Sequence, residues 1–235
     1  MINSETFKFS IIVPVYNEDK TILKVLQNLD NLKKYYQNIQ IIVINDGSKD
    51  DSLKILESNK SLFDVLINNP NNKGKGNAVR KGIEVADGDY ITFQDADLEY
   101  DPNDFKKFLK LINMVEPDLI IGSRFNYADY SRSHYILNKI GNKFITFIFN
   151  IIYNTTFTDI YSCYACFKKN LLINETLKTD GFEQHAEILC KVVKNGKKFY
   201  EVPINYNGRS HDEGKKIKFY HIFSVIYQIL IGKLK

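Results

Sequence analysis

The sequence predicts an α/β domain built on an open, mostly parallel sheet flanked by helices, and three observations carry that reading. Two runs, Phe9 to Val15 (FSIIVPV) and Ile39 to Ile44 (IQIIVI), are apolar and β-branched, as expected of parallel strands covered on both faces. Each is followed by a polar loop and a segment with apolar residues at helical spacing, so strand and helix alternate. A further short strand, Tyr90 to Phe93, ends abruptly in Asp95, Asp97 and Glu99, and ligands of open sheets bind beyond the carboxyl ends of their strands. With 235 residues, 44% of them hydrophobic, the chain can bury a proper core. It divides into a main domain over 1–216 and a C-terminal amphipathic segment over 217–235.

The elements follow in order. After the first strand come Pro14, Tyr16, Asn17 and Glu18, then a helix from Asp19 to Tyr35 with Ile22, Val25, Leu26, Leu29 and Leu32 on one stripe. The second strand turns at Asn45-Asp46-Gly47-Ser48 into a short helix over Asp50 to Ser58, and a weaker third strand occupies Asp64 to Ile67. The loop Asn68 to Gly76 (NNPNNKGKG) leads into a helix over Asn77 to Ala86 whose first amides are exposed. It lacks the order of a P-loop, and no glycine fingerprint follows the first strand, so P-loop hydrolysis and dinucleotide binding lose support. Pro102 to Asn113 is a helix with proline in its first turn, and Asp118 to Gly122 another buried strand.

Tyr135 to Tyr153 is apolar but interrupted by Asn138, Lys139, Asn142 and Lys143, which makes it an amphipathic helix serving core packing or an interface, and not a membrane span. A strand over Cys163 to Lys168 precedes a helix over Gly181 to Asn195, where Glu183 and Glu187 share a face. Lys198 to Tyr206 alternates as a strand, and the basic loop Asn207 to Lys216 that carries Arg209 is either a solvated loop or one suited to close over phosphate. Ile217 to Leu234 is strongly apolar, contains His221 and Gln228, and either lies on a membrane or docks on the domain.

Three carboxylates within five residues repel one another, and they suit a hard divalent cation, Mg²⁺ or Mn²⁺, better than a plain charged turn. The net charge of +4 is too mild to argue for nucleic acid. Three cysteines and an N-terminus without an apolar leader point to a reducing, cytoplasmic setting. Cys163 and Cys166 have neither the partners nor the histidines of a zinc site and read as small buried residues.

Taken together, FSIIVPVYNE, VINDGSKDDS, NKGKGNAVRKG, ITFQDADLEYDP, IIGSRF, FTDIYSCYACF, EVPINYNGRS and EGKKI resemble the family 2 glycosyltransferases of GT-A, Rossmann-like fold, most closely the dolichol-phosphate mannosyltransferase-like branch. The resemblance spans nearly the whole chain and implies that Asp95 and Asp97, with Glu99, hold the metal on a sugar-nucleotide diphosphate. It implies that Pro14, Tyr16, Glu18 and Asp46 cradle base and ribose and that Lys73 and Gly74 lie beside the nucleotide. Arg124 and Arg132 would receive an acceptor phosphate, Asp159 would sit under the reacting sugar, and Arg209 would grip the donor diphosphate. Cys163 stands where the family usually has glycine, which alters the acceptor pocket.

The implied reaction is the inverting transfer of a hexose from a nucleotide diphosphate sugar, of GDP-mannose or UDP-glucose type, to a polyprenyl phosphate such as dolichyl or undecaprenyl phosphate. This places the enzyme in cell-envelope glycan synthesis. A hydroxyl acceptor such as diacylglycerol or a glycan would need a base, with Asp159 or Glu187 as candidates. A sugar nucleotidyltransferase is the reading from another class, but VPVYNED lacks its glycine-rich, arginine-bearing loop. Because family members often continue into transmembrane helices and this sequence shows only the amphipathic Ile217 to Leu234 segment, the resemblance implies an enzyme peripheral to the inner face of the membrane.

Overall fold

The computed structural model describes residues 7–126, 132, 136–209 and 221–234. Its strands are β1 (Phe9–Val15), β2 (Ile39–Asp46), β3 (Val65–Asn69), β4 (Tyr90–Phe93), β5 (Leu119–Ser123), β6 (Ala165–Lys168) and β7 (Phe199–Pro203). The helices are α1 (Ile22–Tyr35), α2 (Ser52–Ser58), α3 (Lys75–Val85), α4 (Phe105–Val115), α5 (Ile136–Tyr153), α6 (Gln184–Asn195) and α7 (His221–Leu234). One seven-stranded sheet has the order β3-β2-β1-β4-β6-β5-β7. All pairings are parallel except those of β6, which runs against both β4 and β5.

The central strands are buried as their composition requires: every residue of β2 is buried, as is all of β1 except Pro14. Helix α1 lays Val25, Leu26, Leu29 and Leu32 on the sheet, and α3 approaches so closely that a Cβ on Gly82 would lie 2.5 Å from a methyl of Ile12. Helix α4 is entered through a 3₁₀ turn at Pro102–Asp104 that Asp101 caps, and it ends at Glu116 in the left-handed region, φ 48°. The strand expected from Cys163 begins only at Ala165, because a tight turn joins the Ala165 N–H to the Cys163 carbonyl and the Cys163 N–H donates to the Tyr100 hydroxyl. Cys163, Cys166 and Cys190 are all buried and unpaired.

Core packing accounts for only one face of α5. Ile145, Phe149 and Tyr153 are buried, while Ile136, Leu137, Ile140, Phe144, Phe147 and Ile151 stand more than half exposed along the other face. Helix α7 docks on the domain rather than standing apart. Val225 and Ile229 are fully buried, the Tyr153 hydroxyl donates to the Ile229 carbonyl, and Gly232 lies against Cys190. Its Tyr227 and Leu230 still face outward. No described helix is long and apolar enough to cross a membrane. Lys215, Lys216, Lys218 and the start of the C-terminal segment lie outside the described residues.

Replacing Gly82 by valine forces branched carbons into the Ile12–Ile44 contact. The cost should be about 1–3 kcal/mol, read as a lower urea midpoint.

Candidate active site

The reversal of β6 decides which segments meet. Strands β1, β2, β4, β5 and β7 all end at the same edge of the sheet, and antiparallel β6 begins there, so the chain leading into it, Asp159 to Cys163, joins the loops that leave the other strands. Into this edge project Glu18 from the β1 loop, Asp46 from the end of β2, Asp95, Asp97 and Glu99 beyond β4, Arg124 beyond β5, and Tyr206 and Arg209 beyond β7.

The acidic triplet does not converge on one point as its spacing suggested. The extended backbone of β4 stops at Phe93 and Leu98 adopts φ 62°, so the alternation of side chains is lost. Asp95 turns to Lys75 in the first turn of α3, with Nζ 2.5 Å from its Oδ1. Asp97 and Glu99 turn instead, with Glu18, to the guanidinium of Arg209. Its Nη2 lies 2.6 Å from Asp97, its Nε 3.2 Å from Glu99 and its Nη1 3.3 Å from Glu18. Glu99 also accepts from the Arg209 N–H and from the Tyr206 hydroxyl.

Charge is unevenly compensated in this cluster. Burial together with the Asp95 and Glu99 carboxylates raises Asp97 to about 7, although Arg209 pulls the other way. Asp95 is held below the usual carboxylate range, since Lys75 outweighs the cost of its burial. Among the described residues no three acidic or imidazole side chains form a metal cage. The donor set nevertheless fits a hard dication: these are carboxylate oxygens with more negative charge than one guanidinium relieves, and two cationic side chains now sit on them.

Beyond β5, Arg124 and Asp159 form a two-point pair, Nε to Oδ2 at 2.7 Å and Nη2 to Oδ1 at 2.8 Å, and the Arg124 N–H adds a third bond at 3.0 Å. Asp159 is fully buried, and its segment is tied to β7 by Glu201, which accepts from the Thr158 N–H. The guanidinium lies over the Tyr206 ring, 5.1 Å from its centre, and its Nη1 reaches the Tyr100 hydroxyl at 3.4 Å. Arg132 donates to the Gly208 carbonyl and its N–H to that of Tyr206, which binds it to the segment that carries Arg209.

Asp46 uses its oxygens on the chain itself: it accepts from Asn69 Nδ2 at 2.7 Å, from the Gly74 N–H at 2.9 Å and from the Lys73 N–H at 3.1 Å. It thereby fixes the glycine loop, in which Gly74 has φ 97° and abuts the Asp180 carbonyl. Beside it, buried Asn45 leaves its side-chain oxygen without a partner. Pro14 is the penultimate residue of β1, and Tyr16 lies half-buried in the loop that follows. Glu187 is not on a solvated face. It is buried and accepts from the N–H groups of Lys178 and Thr179 and from the Thr179 hydroxyl, so it holds the loop that packs on Gly76.

A cavity of about 180 Å³ joins these parts. Asp95, Lys75, Arg124 and Cys163 line one side, Gln184 and His185 of α6 another, and Leu137 and Asn138 of α5 close it. Burial, with the nearby Lys75 charge, lowers His185 to about 4, and its Nε2 meets the Ile160 carbonyl at 3.1 Å. Lys75, Gln184 and His185 escape a reading of the sequence because no motif spacing relates α3, α6 and the end of β4. The one local signal is the second lysine of NKGKG.

A mostly parallel sheet with carboxylates and arginines gathered beyond the carboxyl ends of its strands defines an α/β protein with a ligand crevice at that edge. Residues 10–174 match the family described as Glycosyl transferase family 2, and the chain belongs to it. It is 29% identical over 246 residues, 95% of each chain, to a UDP-N-acetylglucosamine–dolichyl-phosphate N-acetylglucosaminyltransferase of Methanococcus voltae. It is 32% identical to glycosyltransferase AglJ of Haloferax volcanii, over 85% of this chain and 63% of that one. The fold is GT-A: glucosyl-3-phosphoglycerate synthase of Mycobacterium tuberculosis, crystallised with Mn²⁺, UDP and glucosyl-3-phosphoglycerate, superposes with a TM-score of 0.71 at 17% identity, over 97% of this chain and 80% of that one.

The depressed His185 has a consequence for acid stability. Free histidine protonates near 6.5 whereas the folded side chain resists until about 4, so the unfolded chain gains a proton first and stability is lost as pH falls through this window. Asp97, raised to about 7, adds stability as pH falls through the same range, so the His185 contribution is read by difference: His185→Gln should raise the urea midpoint at pH 4 relative to that at pH 6.5 when compared with wild type.

Proposed function

We propose that the chain transfers a hexose, with inversion, from a nucleotide diphosphate sugar to a polyprenyl phosphate. The observation that carries this reading is the engagement of the two bases a hydroxyl acceptor would call on. Asp159 is locked on Arg124 and Glu187 is spent on the 178–179 loop, while His185 takes a proton only near pH 4 and the cationic groups of Arg124 and Lys75 line the same cavity. Such a site suits an acceptor that arrives ionised. A hydroxyl acceptor, which must give up a proton, has no free carboxylate to take it among these residues. The Methanococcus relative, whose name includes a dolichyl-phosphate acceptor and a UDP-linked donor, supports the same choice and favours UDP over GDP.

In the reaction one phosphate oxygen of the lipid forms a bond to the sugar C1 as the bond from C1 to the nucleotide diphosphate breaks, and the electron pair leaves with the diphosphate. No proton is transferred. Asp95 and Asp97, with Glu99, would hold Mg²⁺ or Mn²⁺, which when bound supplies positive charge to the departing diphosphate. Arg209 leaves the carboxylates and turns to the diphosphate, Arg124 orients the acceptor phosphate beneath Tyr100 and Tyr206, and Asp159 keeps Arg124 extended. Asp46 acts on the nucleotide through the loop it fixes, with Pro14, Tyr16, Lys73 and Gly74 around the base and ribose.

The acceptor must be met at a membrane surface, and the exposed apolar faces of α5 and α7 are the means. Leu137 belongs both to that surface and to the cavity wall, so a lipid tail lying along α5 brings its phosphate to Arg124.

Incubation of the protein with membranes and labelled UDP- and GDP-sugars, followed by lipid extraction, should yield a glycosylated lipid phosphate that mild acid cleaves. Label found only in glycan or diacylglycerol would rule out the phosphate acceptor. Arg209→Ala removes a shared counter-ion from Glu18, Asp97 and Glu99, so its melting temperature should fall in EDTA and recover with Mn²⁺. A second change, Phe144→Asp with Phe147→Asp, should abolish sedimentation with anionic liposomes while nucleotide binding persists.

A further inference from the structure

We infer that Gln184 and Asn138 read the transferred sugar, donating hydrogen bonds from their side-chain amides to its oxygens inside the cavity. This rests on the glycosyltransferase reading above and adds the residues that select the donor sugar. Gln184 opens α6 and is 3% exposed, and its Nε2 is shut off from solvent without a hydrogen-bond partner among the described residues. Asn138, on α5, has its Nδ2 in the same condition. Both residues line the one cavity that also holds Asp95 and Arg124.

A buried donor without a partner destabilises the folded state, and an apolar side chain of similar length would be tolerated better there. Gln184 and Asn138 stand on different helices and line one cavity, so rotation of either amide toward that space would satisfy its donor on a ligand with oxygen acceptors. The rest of the wall agrees. His185 donates through Nε2 to the Ile160 carbonyl, which leaves Nδ1 as an acceptor on the neutral ring, and Val79, Phe93 and Ile145 are apolar. Donors, an acceptor and an apolar face together match a pyranose ring, whose hydroxyl or acylamino oxygens take the amides while a C–H face lies on the hydrocarbon. The placement beside Asp95 and Arg124 sets that ring between donor diphosphate and acceptor phosphate. Asn138 follows Leu137 on α5, so the helix with the exposed apolar stripe also carries one of the two selecting groups.

Calorimetry on the full chain with Mn²⁺ tests this, with UDP, UDP-N-acetylglucosamine, GDP and GDP-mannose as probes and Gln184→Met and Asn138→Leu as variants. Each variant should bind the plain nucleotide as wild type does, lose about tenfold of the extra affinity that the sugar confers, and melt at the same or a higher temperature. A lower melting temperature with sugar affinity intact would show that the amides serve the fold, and unchanged affinities and melting would assign them to buried water. Either overturns the inference and leaves the functional reading standing, as does a wild-type chain that binds nucleotide and nucleotide sugar equally. A wild-type chain that binds none of the four overturns the donor reading and this inference with it.

Discussion

Strand β6 runs against its neighbours β4 and β5, and the rest of the site depends on that reversal. In a wholly parallel sheet every strand would deliver its end to the ligand edge and its start to the opposite one. Because β6 is reversed, the Asp159 to Cys163 segment arrives where the loops after β4, β5 and β7 already lie. The ion pair of Asp159 with Arg124 is its direct product. So is the contact of the Cys163 N–H with Tyr100, which puts a thiol beside Asp95 where a glycine would leave open space.

A second theme is charge held in balance by side chains that can move. Glu18, Asp97 and Glu99 surround one guanidinium, and Asp95 holds one ammonium. Neither cation is part of a strand or of the middle of a helix: Arg209 lies in a loop and Lys75 in the first turn of α3. On the proposed reading both would give up their carboxylates to a dication at the cost of a short torsional change and turn to the phosphates. By contrast the Arg124–Asp159 pair is buried, has three hydrogen bonds and is tied to β7 through Glu201, so it serves as a fixed surface. The site thus combines a rigid side at Arg124 with an adjustable side at the carboxylate cluster.

Helix α5 joins the cavity to an exposed apolar surface. One face packs on the core through Phe149 and Tyr153, its N-terminal turns roof the cavity, and the remaining face is apolar and open. Helix α7, docked on α5 and α6, extends the same surface with Tyr227 and Leu230. The two helices therefore act as one body, and the C-terminal segment is packed on the domain rather than hung from it.

The sequence by itself determined the sheet of alternating strands and helices and the acidic end of β4, since these are signalled by neighbours in the chain: β-branched runs, helical stripes, carboxylates two apart. With the motif order it also determined the family. It could not determine which carboxylates share a cation, because the turn at Leu98 breaks the alternation on which that expectation rested. The sequence could not show that Asp46 and Glu187 are spent on loop amides, since those partners lie 27 and 9 residues away and meet them only after folding. Nor could it show Lys75, Gln184 and Asn138 in one cavity, or α5 with two apolar faces of opposite purpose. Periodicity states that a face is apolar, and only the packing of α6 and α7 against α5 decides which face is covered and which stays exposed.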